Sequence, residues 1–179
     1  MKIVIHIFGA SGSGTTTLGK KIADELGYKH MDTDDYYWLP TDPKFTKKRS
    51  AEERIALMKK DIEQSENVVI SGALAGWGDP LNPYFTLAVR IELEQGIRIE
   101  RLRQREKARF GSRIEPGGDM HDQHLAFIEW AKTYDTGGVE HRSKMRHDAW
   151  QKTLPCEIVC LNGADSIKSN FEKVREKLR

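Results

Sequence analysis

GASGSGTT, at residues 9–16, lies between an apolar segment and an amphipathic one, and this arrangement determines the class of fold. Residues 2–8 are rich in Ile and Val, which is typical of a central parallel strand covered on both faces. Beyond the stretch, apolar residues recur every four positions at Leu18, Ile22 and Leu26, and Gly27 follows. This spacing predicts a helix over 15–26, because glycine is common just beyond a helix end. The sequence therefore predicts the order strand, glycine loop, helix.

The loop fits the phosphate-binding (P-loop) pattern of a glycine, four residues, a second glycine, a lysine and a hydroxyl residue, except that Thr15 stands at the lysine position. Glycines allow the tight turn, backbone N–H groups can point at phosphate oxygens, and the following helix N-terminus favours negative charge. An ordinary Gly/Ser-rich turn is the alternative, which the flanking strand and helix disfavour. Losing the lysine weakens transition-state stabilisation by a few kcal/mol unless another cation compensates.

Composition narrows the class of protein further. The chain has 179 residues, of which 38% are hydrophobic and 31% charged, with a formal net charge of +2. These values predict one globular domain over 1–179, and they disfavour a disordered tail or a polycationic nucleic-acid binder. No apolar run reaches the roughly 20 residues of a membrane span. The two cysteines lie four apart in a predicted strand, which argues against a disulfide and favours a cytoplasmic location.

Strands and helices alternate along the rest of the chain. Further strands are predicted at 28–31, 68–70, 86–93 and 156–161. A capping box at Ser50 and Glu53 begins a second helix, and further helices are predicted over 94–109, 119–134 and 139–151 and in the C-terminal segment. This alternation predicts an α/β fold with a parallel sheet and helices on both faces, and ligands bind such sheets at the carboxyl ends of the strands.

An acidic and aromatic segment follows the second predicted strand. In an extended chain, Asp32 and Asp34 would face one side and Asp35 the other, so two carboxylates could share one site. An acidic surface turn or a helix cap is the alternative. Nearby aromatic side chains could stack on a base or act as loop anchors, and they are Tyr36, Tyr37, Trp38 and Trp77.

Four arginines, Arg98, Arg101, Arg105 and Arg109, recur at spacings of three and four in the predicted helix over 94–109. We expect them to form a basic stripe, which is the candidate replacement for the missing lysine. A solvated face paired locally with glutamates is the alternative.

The chain resembles the adenylate-kinase-like and nucleoside-kinase-like branch of P-loop proteins over nearly its whole length, as a variant with Thr15 in place of the lysine. The resemblance implies a three-layer fold with a five-stranded parallel sheet in the order 2-3-1-4-5. It also implies a lid-like segment at about 109–138, with ATP and Mg²⁺ as ligands.

The resemblance also implies roles for single residues. Asp34 would be the base, assisted by Arg105 and Arg101, the latter lying over the adenine. Thr16 and Asp32 would hold the metal. The acceptor would contact Asp35, Tyr37, Trp38, Trp77 and the lid residue Arg113. The nucleotide would contact Gly9, Ala10, Ser11, Gly12, Ser13, Gly14, Thr15, Thr16, Thr17 and Asn162.

These features favour transfer of the γ-phosphoryl group of ATP to a nucleoside, a nucleotide or another small hydroxyl compound. A catalytically weak nucleotide-binding regulatory protein is the alternative, because Ser71 also replaces the acidic residue that often ends the third strand. A nucleic-acid-associated modulator is disfavoured by the near-neutral charge. We expect a monomer or homodimer without membrane contact, and the acceptor stays open.

Overall fold

A computed structural model describes residues 2–178. It contains a five-stranded sheet with the order β2-β3-β1-β4-β5, and all of its strand pairs are parallel. The strands are β1 (Val4–Gly9), β2 (Lys29–Asp32), β3 (Val68–Ser71), β4 (Leu87–Glu92) and β5 (Glu157–Asn162). The predicted architecture and strand order are confirmed.

Seven α-helices connect and follow the strands. They are α1 (Thr15–Leu26), α2 (Thr33–Tyr37), α3 (Ala51–Gln64), α4 (Gln95–Phe110), α5 (His121–Lys132), α6 (Lys144–Trp150) and α7 (Ile167–Glu176). Short 3-10 turns occur at Asp79–Tyr84, Gly111–Ile114, Thr133–Asp135 and Gln151–Thr153. Within the described residues, no helix has both the length and the apolar character needed to cross a bilayer.

Strand β1 lies in the middle of the sheet and contributes to two apolar layers. Phe8 packs with Met58 and Ile62 of α3 on one face, and Ile5 packs with Ile22 of α1 on the other. Each of these five side chains is fully buried. A strand covered on both faces requires apolar residues at successive positions, which explains the Ile- and Val-rich start of the chain.

The segment after β2 differs from the prediction. It is the short helix α2 and not an extended chain, because the Asp32 side chain caps the helix by accepting a hydrogen bond from the Asp34 backbone N–H at 3.0 Å. The expectation that Asp32 and Asp34 share one side of an extended strand was therefore wrong. The helix-cap alternative was correct for Asp32.

Other helix boundaries follow local capping. The capping box of Ser50 and Glu53 is present at the start of α3, as predicted. Helix α6 begins later than the predicted residue 139, because Ser143 is its N-cap and hydrogen bonds through its hydroxyl to the Gly138 carbonyl at 2.7 Å. Helix α5 begins at His121, two residues later than predicted, and has no side-chain cap.

Two histidines are fully buried beside the sheet. His6 stacks on Phe8 and Phe85, and its Nε2 donates to the Gly72 carbonyl at 3.0 Å. His147 hydrogen bonds through Nδ1 to the Tyr134 hydroxyl at 2.8 Å. Burial lowers the pKa of His6 to about 4, and burial with the nearby charges of two arginines lowers the pKa of His147 to about 3.

These pKa shifts predict a loss of stability in mild acid. Both histidines are neutral when folded, so below about pH 6.5 the unfolded chain binds protons that the folded chain does not. The free energy of unfolding should fall by about 1.4 kcal/mol per pH unit for each histidine as the pH drops from 6.5 towards 4. Urea denaturation at several pH values measures this slope.

The matched variants are His147→Gln and His141→Gln, since the His141 side chain is exposed. His147→Gln should reduce the slope of the free energy of unfolding against pH by about 1.4 kcal/mol per pH unit, the contribution of one proton. His141→Gln should leave this slope unchanged. Equal slopes for the wild type and His147→Gln would show that His147 does not cause the effect.

Candidate active site

The glycine loop joins the end of β1 to the start of α1 and closes tightly. The Ser13 N–H donates to the Ala10 carbonyl at 3.1 Å, and φ is +83° at Gly12 and +103° at Gly14. A Cβ on Gly12 would lie 2.6 Å from the Arg98 carbonyl oxygen of α4. Glycine at position 12 therefore permits both the left-handed backbone and the close approach of α4.

One hydrogen bond links the start of α1 to the end of β2, which is separated from β1 in the sheet by β3. The Thr16 hydroxyl at the start of α1 donates to Oδ2 of Asp32 at 2.9 Å. Hydroxyl and carboxylate oxygens are ligands that suit Mg²⁺, so this pair fits the divalent ion that P-loop proteins use. Within residues 2–178, no group of three His, Cys, Asp or Glu side chains is placed to hold a metal ion.

A cavity of about 700 Å³ opens beside the loop and the Thr16–Asp32 pair. Its wall includes cationic side chains from four parts of the chain: Lys48, Arg54, Arg105, Arg109, Arg142 and Arg146. Aromatic side chains form much of the remaining surface: Tyr37, Trp38, Phe45, Trp77, Phe127 and Trp130. Clustered cations bind anions, and the flat rings suit planar or apolar groups.

Asp34 lies on α2 in the wall of this cavity. Surrounding protein atoms and the neighbouring Asp32 carboxylate raise the pKa of Asp34 above its ordinary value. The positive charges of Arg142, Arg105 and Arg109 act in the opposite direction. A raised carboxylate pKa makes Asp34 a better proton acceptor than a free aspartate.

Arg54 is a buried cation next to two aromatic rings. Its guanidinium carbon lies 3.7 Å from the centre of the Tyr37 ring and 5.3 Å from that of Trp77. Its Nε donates to the Arg49 carbonyl at 2.7 Å. These contacts fix the guanidinium plane at the cavity wall, so Arg54 is preorganised to bind an anionic group.

Arg146 contributes a second cation near Trp77. Its Nη1 donates to the Glu140 carbonyl at 3.3 Å, and the guanidinium packs on the backbone of Gly76, where φ is +90°. A Cβ at Gly76 would collide with this guanidinium. The absence of a side chain at Gly76 therefore leaves space for the Arg146 guanidinium at the cavity wall.

Many of the residues expected from the sequence lie together. The cavity wall contains Ser11, Gly12, Thr15, Thr16, Asp32, Asp34, Tyr37, Trp38, Trp77 and Arg105. Residues from the loop, α2, α4 and the segment after β3 thus share one site.

Arg101 and Asn162 lie together but outside this cavity. Both Nη atoms of Arg101 donate to the Gly163 carbonyl at 3.1 Å, and the Asn162 side chain accepts from the Ala164 N–H at 2.9 Å. A Cβ on Gly163 would lie 2.6 Å from the Ser13 carbonyl oxygen, so this turn packs directly on the glycine loop. Neither residue lines the cavity that contains Asp34.

Four expected residues of the glycine loop itself do not line the cavity wall, namely Gly9, Ala10, Ser13 and Gly14. Three other expected residues also do not reach it. Arg113 is held by Asp119 at 2.6 and 2.9 Å and by Asp42 at 2.8 Å. Asp35 and Thr17 are exposed and do not line the cavity wall. The structure places Arg113 in an ion-pair link between the 3-10 turn at Gly111–Ile114 and the segment after α2.

The four arginines predicted to form a stripe on α4 do not line one common site. Arg98 is fully buried, donates from Nε to the Leu93 carbonyl at 2.9 Å and from Nη2 to Asp135 at 2.5 Å. It therefore anchors the 3-10 turn after α5 and is not a replacement for the lysine. Arg105 and Arg109 line the cavity, whereas Arg98 and Arg101 do not, so the four arginines do not form one stripe.

Sequence reasoning missed Arg54, Arg142 and Arg146. Arg54 had a usable signal, because it lies four residues before Met58 on the apolar stripe of α3, where a charged residue is unusual. Arg142 lies far along the chain from the loop that it contacts, so no local pattern marks it. The spacing of four between Arg142 and Arg146 was the only hint.

A glycine loop between the central strand and the first helix of this parallel sheet defines a P-loop nucleotide-binding fold. The chain belongs to the AAA domain family, whose model matches residues 5–116.

The chain is similar in sequence to proteins of other organisms. The chain is 44% identical over 178 residues to the uncharacterized protein YqaC of Bacillus subtilis, covering 99% of this chain and 98% of YqaC. It is 34% identical over 116 residues to a cytidylate kinase of Pyrococcus horikoshii, with 59% and 58% of the two chains covered.

Two solved structures share the fold at low sequence identity. A shikimate kinase from Acinetobacter baumannii in complex with shikimate has a TM-score of 0.59 and 14% identity, and covers 99% of this chain and 93% of that one. A shikimate kinase from Bacteroides thetaiotaomicron has a TM-score of 0.56 and 19% identity, with 98% of both chains covered.

The loop geometry predicts a specific difference between two glycine variants. Gly12→Ala and Gly27→Ala each place a side chain at positive φ, which costs roughly 1–2 kcal/mol. Only the Gly12 variant also meets backbone, because nothing lies within 4 Å of a Cβ on Gly27. Gly12→Ala should therefore lose about 1–3 kcal/mol more stability in urea denaturation. Equal losses would contradict the packing of α4 on the loop.

Proposed function

We propose that the protein is an ATP-dependent phosphotransferase that moves the γ-phosphoryl group to a small acceptor. The observation that supports this most directly is the Thr16–Asp32 pair, because it adjoins both the glycine loop and the cavity that Asp34 faces. A donor phosphate chain on the loop and an acceptor hydroxyl at Asp34 would then lie side by side. The kinase names of several relatives and structural neighbours agree with this proposal.

The donor half of the proposed site uses the glycine loop and the N-terminus of α1, which hold phosphate oxygens through backbone N–H groups. Thr16 and Asp32 would hold Mg²⁺, which supplies positive charge to the phosphate oxygens when bound. Arg101 and the turn at Asn162 lie beside the loop and outside the cavity, and we place the adenine there. Arg105 would contact the triphosphate from α4.

The proposed transfer is a displacement at the γ-phosphorus. A bond forms from the acceptor oxygen to phosphorus, and the bond between phosphorus and the oxygen bridging to the β-phosphate breaks, leaving ADP. The acceptor's proton passes to the Asp34 carboxylate. The raised pKa of Asp34 suits this role, and the cations around the cavity stabilise the charge on the transferring group.

We place the lid at about residues 109–138. Side chains of this segment, including Ile114, Met120 and Phe127, line one wall of the cavity. The Gln123 side chain also donates to the Lys44 carbonyl at 2.9 Å, which joins the segment to the opposite rim. Closure of such a segment excludes water from the reacting phosphate, which favours transfer over hydrolysis.

Within the acceptor classes left open by the sequence, the cavity favours an acceptor that carries an anionic group. The Arg54 guanidinium lies over the Tyr37 ring and near Trp77, and the Arg146 guanidinium packs on Gly76, the residue before Trp77. Both cations therefore lie in the aromatic part of the wall. A compound with a phosphate or carboxylate and a ring or apolar body would match this wall.

Phosphorus NMR tests the proposed reaction. The protein is mixed with Mg·ATP and pooled nucleosides, nucleoside monophosphates and small hydroxy acids. The appearance of ADP together with a new phosphoester signal is expected. ATP signals that broaden without turnover would instead favour the regulatory nucleotide-binding protein, for which the substitutions at Thr15 and Ser71 argue.

Asp34→Asn should lower kcat by about 10²- to 10⁴-fold while leaving the affinity for Mg·ATP nearly unchanged, because it removes a proton acceptor without changing size. Steady-state kinetics with the acceptor found by NMR measure this. Asp24→Asn, at an exposed position on α1, is the control and should behave as wild type. Retention of kcat in Asp34→Asn would exclude Asp34 as the base.

Arg54→Gln should raise the KM for the acceptor by about 10-fold or more, with a much smaller effect on the KM for ATP, because a charged hydrogen bond is lost only on the acceptor side. Arg54→Lys should recover part of this loss, since it keeps the charge but not the planar stacking. Equal increases for both substrates would contradict the assignment of this wall to the acceptor.

A further inference from the structure

The missing lysine leaves the glycine loop without its own cation, and the structure brings one from elsewhere. Arg142 lies just before the N-cap of α6, and its Nη2 donates to the Gly9 carbonyl, the first of the loop, at 3.1 Å. The two residues are separated by 133 positions in sequence. Arg142 also lines the same cavity as Thr15.

The Arg142 guanidinium has N–H donors that do not hydrogen bond within the protein. Its Nε is buried and has no hydrogen-bond partner, and an arginine carries five N–H donors in total. The Gly9 carbonyl uses one of them. A buried donor without a partner costs free energy unless a ligand satisfies it. The remaining donors form a fork that matches two phosphate oxygens.

Neighbouring groups hold Arg142 in this position. Its guanidinium lies 5.7 Å from the centre of the Trp130 ring of α5. The Asp34 carboxylate raises the pKa of Arg142, against the larger lowering caused by burial. Arginine remains charged under such opposing effects, because its ordinary pKa is far above neutrality.

The other cations near the loop are engaged differently. Arg101 donates from both Nη atoms to Gly163, Arg98 binds Asp135, and Arg105 hydrogen bonds to Glu106 at 3.2 Å. Among the cationic side chains of residues 2–178, only that of Arg142 hydrogen bonds to a residue of the loop 9–16. The geometry therefore distinguishes it from the arginines of α4.

We propose that Arg142 replaces the P-loop lysine as the residue that binds the outer phosphates of ATP. This inference rests on the proposed function and deepens it, because it names the source of the compensating charge. The cation comes from the segment after α5 and not from the loop. Binding of the triphosphate is thereby tied to the docking of that segment on Gly9.

A double-mutant cycle with Thr15→Lys tests the replacement. The variants are Arg142→Gln, Thr15→Lys and the double variant, and the affinity for Mg²⁺ with the non-hydrolysable analogue AMP-PNP is measured by calorimetry. Arg142→Gln should weaken binding by about 10- to 100-fold, as expected for the loss of charged hydrogen bonds. Thr15→Lys should restore at least about 10-fold in the Arg142→Gln background, clearly more than any gain it gives in the wild-type background.

A purely structural role for Arg142 predicts no such rescue, because a lysine at position 15 would not repair the contact with Gly9. Arg142→Lys, which keeps the charge without the fork, should bind with intermediate affinity and gives a second test if the glutamine variant unfolds. Arg103→Gln, at an exposed position of α4, is the control and should bind as wild type.

Wild-type affinity in Arg142→Gln, or an equal gain from Thr15→Lys in both backgrounds, would overturn the proposal. Absence of AMP-PNP binding by the wild type would overturn it as well. The cycle measures binding and not turnover. If the two substitutions are coupled in AMP-PNP binding but the protein transfers no phosphoryl group, the proposed reaction is refuted and the role of Arg142 is supported.

Discussion

The close contact between the glycine loop and α4 is the constraint on which the site depends. The backbone of α4 at Arg98 approaches Gly12 so closely that no side chain fits between them. This contact fixes the start of α4 over the loop, and the helix then carries Arg105 and Arg109 to the cavity. The turn at Gly163, which accepts hydrogen bonds from Arg101 of α4, packs on Ser13 of the same loop. The loop is thus held by two elements that follow β4 and β5 and that contact each other.

Periodicity was sufficient to predict the alternating strands and helices, whereas the strand order was implied by the family resemblance. Continuous apolar residues in β1 and β3 indicate strands buried on both faces, and the fourfold spacing of Leu18, Ile22 and Leu26 indicates α1. Helix α2 escaped prediction because it has only five residues and depends on the Asp32 cap. A single capping hydrogen bond decides between turn, strand and helix in so short a segment.

Part of the site could be predicted in the same way. The glycine loop, Thr16, Asp32 and Asp34 are marked by motif and position, and the structure brings them together. The cations were harder, because an arginine's partner is set by tertiary contacts. Arg98 has the same local spacing as Arg105, yet it is buried against Asp135, while Arg142 reaches Gly9 from the far end of the chain. Charge at the site therefore comes from several separate elements.

The most direct test of this account is a crystal structure of the protein with Mg²⁺ and a non-hydrolysable ATP analogue. The account predicts the triphosphate along residues 9–16, the metal beside Thr16 and Asp32, and the γ-phosphate between Arg142 and Asp34. A nucleotide bound elsewhere, or phosphates that leave the glycine loop without contact, would contradict it.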